Sequence, residues 1–228
     1  MTNRARPEST LCDSAAVEPV DITPRAQELA AALAADSIER IQGLSAADFW
    51  ERVGEADYAE RLPVGGAVEL LGTLNDRSLL LVTPDAGLDG RYALEQAWSD
   101  ASPPLVADER EFSLVDAARL RAQGDDETLA RMATKIACQD AAEALCAALA
   151  ARDVAAVRAM VEPGKDELAD REAARAAEAT RAELVGSVGP RTLVRVWSAA
   201  GDVTLEYLWR RHDDVWQIAM VREFGRAG

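Results

Sequence analysis

The chain has 228 residues, 49% of them apolar, and carries 40 acidic against 25 basic side chains, a formal net charge of −15. That is enough apolar material for one large domain or two small ones, and the negative field repels phosphate backbones and anionic lipid, so no direct contact with nucleic acid or a membrane surface is expected. No window reaches the roughly 18 apolar residues of a membrane span, and the first twenty residues lack the apolar stretch of a secretory signal, so a cytoplasmic protein is expected.

Arginine supplies nearly all the basic charge, Lys135 and Lys165 being the only lysines; with the abundant alanine, this is the usage of a high-GC bacterial genome. Of the three cysteines, Cys12 sits in a polar N-terminal stretch, while Cys138 and Cys146 share one helical pattern. Eight helical residues separate α-carbons by roughly 12 Å, too far for a bridge, so reduced thiols are expected.

Residues 1–22 lack periodicity and read as a mobile tail. Residues 23–106 read as a mostly helical region. Thr23-Pro24 suits a helix start, with Leu29 and Leu33 on one face. Ser45 and Asp48 have the spacing of a capping box, with Leu44 able to staple onto Phe49. The segments 68–72 and 79–82 flank Asn75-Asp76 and favour a hairpin over two helix fragments. A turn is expected at 83–87, a short helix at 92–98 and a linker at 100–106, around Ser102-Pro103-Pro104.

Residues 107–228 read as helices packed on an antiparallel sheet. Asp125-Asp126-Glu127 opens the longest helical pattern, with Cys138, Ala142, Leu145 and Leu149 as its stripe. Asp153 is a second N-cap, ahead of Val154, Val157 and Val161. A charged, alanine-rich helix is expected over 166–185. Alternating apolar and polar residues then predict a three-stranded meander at 192–197, 203–210 and 215–224. No internal repeat with a period of twenty to fifty residues is present. The fold class is therefore α+β.

The run from Ala141 to Asp153, followed by 154–163, resembles the opening helices of the NTF2-like superfamily, the SnoaL-like or cystatin-like α+β cone. Tyr207-Leu208-Trp209-Arg210-Arg211-His212-Asp213-Asp214-Val215-Trp216-Gln217-Ile218 resembles its closing hairpin, a strand, a polar turn and then Trp-x-Ile. The likeness spans roughly residues 128–228. It implies a cone whose mouth holds an apolar ligand or a partner, in a family of isomerases, epoxide hydrolases, polyketide cyclases and noncatalytic binding modules. The family's sheet has more strands than the three expected here; the others would come from 67–83, or the domain is smaller.

Candidate chemistry is sparse. The single histidine, His212, falls in a hairpin turn beside Asp213 and Asp214, where solvation outweighs a ligand role. Val64-Gly65-Gly66-Ala67 lacks the rest of any phosphate-binding motif. Acidic clusters at 125–127 and 166–172 lack the spacing of a calcium loop, so neither metal nor cofactor is expected. Glu206 shares a strand face with Thr204 and Leu208; covered by helices it could act as a general base with Tyr207 as hydrogen-bond donor, and otherwise it pairs with Arg195 or Arg222 across strands. Trp197, Tyr207, Trp209, Trp216 and Met220 would line a ligand or partner pocket, or fill the core. The expected function is noncatalytic binding of a protein partner or an apolar small molecule, as monomer or homodimer. The alternatives are an NTF2-like isomerase, hydrolase or cyclase, and a subunit of a larger assembly.

Overall fold

The computed structural model describes residues 20–54, 56, 59, 66–85 and 90–225. Residues 1–19 of the expected tail, with Cys12, lie outside these, as do Val64, Gly65 and the last two residues, Ala86 and Gly87, of the 83–87 turn. Helices α1 (Thr23–Ala34), α2 (Ile38–Gly43) and α3 (Ala47–Val53) precede strands β1 (Ala67–Leu74), β2 (Arg77–Thr83), β3 (Tyr92–Trp98) and β4 (Val106–Ser113). Helices α4 (Ala117–Gln123), α5 (Asp126–Arg131), α6 (Ala133–Ala150), α7 (Val154–Ala159) and α8 (Asp166–Glu178) precede β5 (Ala179–Val188), β6 (Arg191–Ser198), β7 (Gly201–His212) and β8 (Val215–Phe224). The fold is α+β. No described helix is long and apolar enough to cross a membrane.

All eight strands form one antiparallel sheet in chain order. β4 meets β5 through a single pair, Ser113 and Ser187. β1 meets β8 through a single bridge in which Thr73 and Gly225 exchange two N–H···O bonds of 2.9 Å, closing the order into a ring. Two four-stranded meanders are thus joined at two narrow seams. Their inner faces meet in one cluster, in which Leu71, Leu79 and Phe112 of the first meander join Val185, Leu193 and Phe224 of the second. The outer faces carry helices: Leu80, Val82, Leu94 and Trp98 pack under α1–α3, and Val194, Leu205, Tyr207, Trp209 and Ile218 under α6–α8.

The halves repeat each other, with a period of over a hundred residues. Glu69-Leu70-Leu71-Gly72-Thr73 of β1 returns as Glu183-Leu184-Val185-Gly186-Ser187 of β5, and Arg77-Ser78-Leu79 as Arg191-Thr192-Leu193. Leu94-Glu95 and Trp98 return as Leu205-Glu206 and Trp209, and Arg110-Glu111-Phe112 as Arg222-Glu223-Phe224. The backbone repeats too. β1 and β5 carry bulges at Leu70/Gly72 and Leu184/Gly186. Asp36 and Arg152, each ending a first helix, have φ of 49° and 56°. Short parallel bridges tie Ser45 to Val106 and Val161 to Ile218. The two seams are equivalent, since Thr73 corresponds to Ser187 and Gly225 to Ser113.

Steric crowding explains the glycine at each seam: a Cβ on Gly186 would lie 2.5 Å from the Phe112 carbonyl oxygen, and one on Gly72 would collide with the Gly225 carbonyl. A side chain at either point would push the opposite strand away and open the ring. In each half a tryptophan of the third strand, Trp98 or Trp209, donates its indole N–H to Ser78 or Thr192, both at 2.8 Å, satisfying a buried donor inside an apolar layer.

Several expectations are corrected. Residues 23–106 are not mostly helical, because β1–β3 occupy much of that span; the hairpin at β1–β2 is as expected, whereas 92–98 is a strand. The boundary at 106/107 falls at the start of β4, which pairs with β3. The helix at 166–185 stops at Glu178, and β5 supplies a fourth strand ahead of the expected three. Ser45 does not cap a helix; its hydroxyl donates to the Ile41 carbonyl. Asp125 and Asp153 do cap, accepting from Thr128 and Ala156 backbone N–H groups, but the helix that Asp125 opens ends at Arg131, and the longest helix, with the Cys138–Leu149 stripe, starts separately at Ala133.

Candidate functional site

The expected pair of Glu206 and Tyr207 is not brought together. Adjacent residues on β7, they point to opposite faces of the sheet. Glu206 lies on the inner face, 1% exposed, with Arg191 Nη1 2.5 Å from its Oε1 and Arg222 Nη1 3.3 Å from its Oε2. The Arg222 pairing matches the expected alternative, but it is buried, and Arg195 turns instead to Asp202 and Glu69. Oε2 receives no hydrogen bond from another protein group. Arg191 thus hydrogen-bonds one carboxylate oxygen and Arg222 faces the other as an ion pair, and both lie on the face away from Tyr207.

The first half builds the same triad. Glu95, also 1% exposed, accepts from Arg77 at 2.8 Å and Arg110 at 3.2 Å. Register makes this automatic: Glu95 stands opposite Arg110 and Glu206 opposite Arg222, while Arg77 and Arg191 each lead the neighbouring strand two residues before the leucine facing the glutamate. The triads also sense one another. Burial works to lower the Arg77 guanidinium, yet it is raised by the Glu95 hydrogen bond and charge, with further contributions from Asp76 and from Glu206 of the other half.

Tyr207 and Trp209 are core residues beneath α6–α8. The Tyr207 hydroxyl donates 2.8 Å to Glu172, a fully buried glutamate of α8 that also faces Arg175 at 3.3 Å. Burial first, and then the Glu172 charge, raise the Tyr207 phenol well above its usual range. Cys146 and Cys138 lie in the same layer and are pushed up to about 12 by burial, which makes them poor nucleophiles.

The remaining candidates scatter. Trp197 is half-buried and stacked by Arg181 at 4.3 Å and Arg195 at 5.1 Å. Trp216 packs on the outer core, and Met220 lines a cleft with Lys165, Leu168 and Arg171. His212, in the β7–β8 hairpin, is half-exposed with Nδ1 3.1 Å from Asp213. Trp197, Tyr207, Trp209, Trp216 and Met220 therefore share no single cavity.

A different region stands exposed. α4 and α5 form a helical arm between the halves in which no residue is buried, although Leu120 and Leu129 lie along it. Beside it runs a cleft of about 780 Å³ bordered by Arg91, Leu114, Val115, Asp140 and Glu143. Leu114 is 44% exposed. The arm's root is fixed, for Gln139 of α6 hydrogen-bonds both the N–H and the carbonyl of Val115, and Lys135 donates 3.1 Å to Ser113. Burial lowers the Lys135 ammonium.

Comparison of the chain with protein-family models, curated proteins and solved structures finds no match.

Sequence reasoning missed Glu95, Arg77, Arg110, Arg191 and Glu172. Pairing β1–β4 against β5–β8 in the sequence would have found the first four, because each R-[ST]-L, L-E and R-E-F segment occurs twice. Glu172 carries no such mark; it is one acid among many on a charged helix.

Proposed function

We propose that the protein is a noncatalytic binding module made of two NTF2-like units, and that its ligand is a protein with a basic contact surface. The likeness of each unit to that superfamily is supported by its order of elements: a long and a short helix, a short parallel bridge to the last strand, and a four-stranded meander. What supports binding over catalysis is the commitment of the candidate side chains. Glu206 is clamped by two arginines and Tyr207 is spent on Glu172, on opposite faces of the sheet.

The observation that carries the reading is the α4–α5 arm. Ordering two helices costs conformational entropy that burial normally offsets, and this arm buries none of its own residues, Leu120 and Leu129 included, while a cleft bordered by the exposed Leu114 runs along its first helix. The excess of acidic side chains favours approach of a basic partner.

The test is affinity purification of the tagged full chain from its own host, with cross-links mapped by mass spectrometry, run in parallel with Leu114→Glu and Leu120→Glu. A companion cross-linked to residues 114–131 and lost in both variants supports the reading. A bound small molecule whose turnover disappears in Glu206→Gln contradicts it.

A further inference from the structure

The contacts between the two halves are reciprocal. Glu69 and Glu183 are equivalent residues, and each crosses to the other half: Glu69 reaches Arg195 at 2.8 Å, and Glu183 reaches Arg91 at 2.5 Å. Thr73 meets Gly225 as Ser187 meets Ser113. Phe112 and Phe224 enter the inner cluster from equivalent positions. An interface in which each patch meets the equivalent patch of its partner has the form of a two-fold dimer, here written within one chain.

Cohesion within a half exceeds cohesion between halves. Among the described residues, the outer clusters hold fourteen and eighteen buried residues, each wholly within one half, whereas the shared inner cluster holds eight. Each Arg–Glu–Arg triad is complete within its own half, so separation strands no carboxylate without its arginines. The connection is the α4–α5 arm. It turns at Gly124, with φ of 70°, and at Asp125, whose side chain caps α5.

We propose that this internal interface also accepts a second copy of the chain: the first half of one molecule pairs with the second half of another, with the α4–α5 turn as the hinge. The surface buried is the one already described. Only the path of the connecting segment changes, and that segment has no buried residue to displace.

The hinge dictates the experiment. In the full chain, Gly124→Ala with Asp125→Ala removes the left-handed helix stop and the cap, favouring one continuous helix through the turn, which holds the two halves of one chain apart. Sedimentation equilibrium is expected to show a doubling of mass with an unchanged circular dichroism spectrum. Adding Thr73→Cys and Gly225→Cys is expected to give a disulfide that joins two chains on a non-reducing gel. As a test independent of the helix-fused variant, the native sequence is also unfolded in urea and refolded at high concentration as a mixture of light and isotope-labelled chains. Native mass spectrometry is then expected to find dimers of mixed mass that persist on dilution. Monomer from both preparations, or dimers in which the Thr73–Gly225 disulfide stays within one chain, would overturn the proposal.

Discussion

The first half, α1–β4, and the second half, α6–β8, share what faces the ring and differ in what lies beneath their helices. At the inner face and seams, Glu95 and Glu206 sit in matching arginine clamps, and Gly72 and Gly186 give the opposite strand room; beneath the helices, Trp98 and Trp209 still find a hydroxyl at the same distance. Elsewhere beneath the helices the match fails. The position of Tyr207 is Gln96 in the first half, which takes the Ser78 hydroxyl hydrogen bond, and the position of Cys146 is Ala30. The ring-facing features are shared; the divergent ones lie in each half's helix-covered layer, where the two indole bonds are the part that is kept.

If that division is right, equivalent substitutions carry equal costs. The largest effect is expected from Glu95→Gln and Glu206→Gln, each leaving two arginines around a neutral group and costing about 3 kcal/mol. Urea unfolding of the two variants should give midpoints displaced alike; a large loss for one and none for the other would break the equivalence. Gly72→Ala and Gly186→Ala come next, at about 2 kcal/mol each through overpacking at the seams, read by the same titration.

A smaller pair of changes, Ser78→Ala and Thr192→Val, removes the acceptor from each buried indole N–H and should cost about 1 kcal/mol apiece. Thermal denaturation would register them.

Alkaline pH should sharpen the contrast rather than the likeness. Cys138 and Cys146, unfolded value 9.0, are held protonated in the folded protein up to about 12. The folded state therefore binds more protons than the unfolded state between those values, and the stability present below pH 9 falls as pH rises through that window. Tyr207, also raised, extends the fall above pH 10. Replacing Cys146 by the alanine of the first half should flatten part of that decline in urea titrations stepped from pH 8 to 11; an unaltered slope would remove Cys146 from the account.

The legible parts of this sequence were the half-buried ones. β6–β8 alternate large apolar and polar residues between clear turns, and α6 keeps a regular stripe through Leu145 and Leu149. β3 hid because most of it is buried on both faces, leaving Tyr92 to Trp98 without alternation. β5 hid because α8 passes into it at Ala179 with no glycine or proline to mark the change, and alanine suits either state. The duplication is carried by tetrads and triads separated by loops of unequal length, at a period far longer than solenoid repeats have. Of the site, Glu206 and Arg222 were readable from strand parity; Arg191 was not, since its reach to Glu206 depends on a diagonal across two strands.

Amide hydrogen exchange measured residue by residue by NMR tests the closed, two-fold ring most directly. The Thr73 and Gly225 amides, each donating to the other residue's carbonyl across the seam, are expected to exchange far more slowly than unprotected amides, and to quicken together when Gly72→Ala is introduced. Exchange of both at the unprotected rate in the native protein would mean that β1 and β8 do not meet, and that the two halves are not joined by equivalent seams.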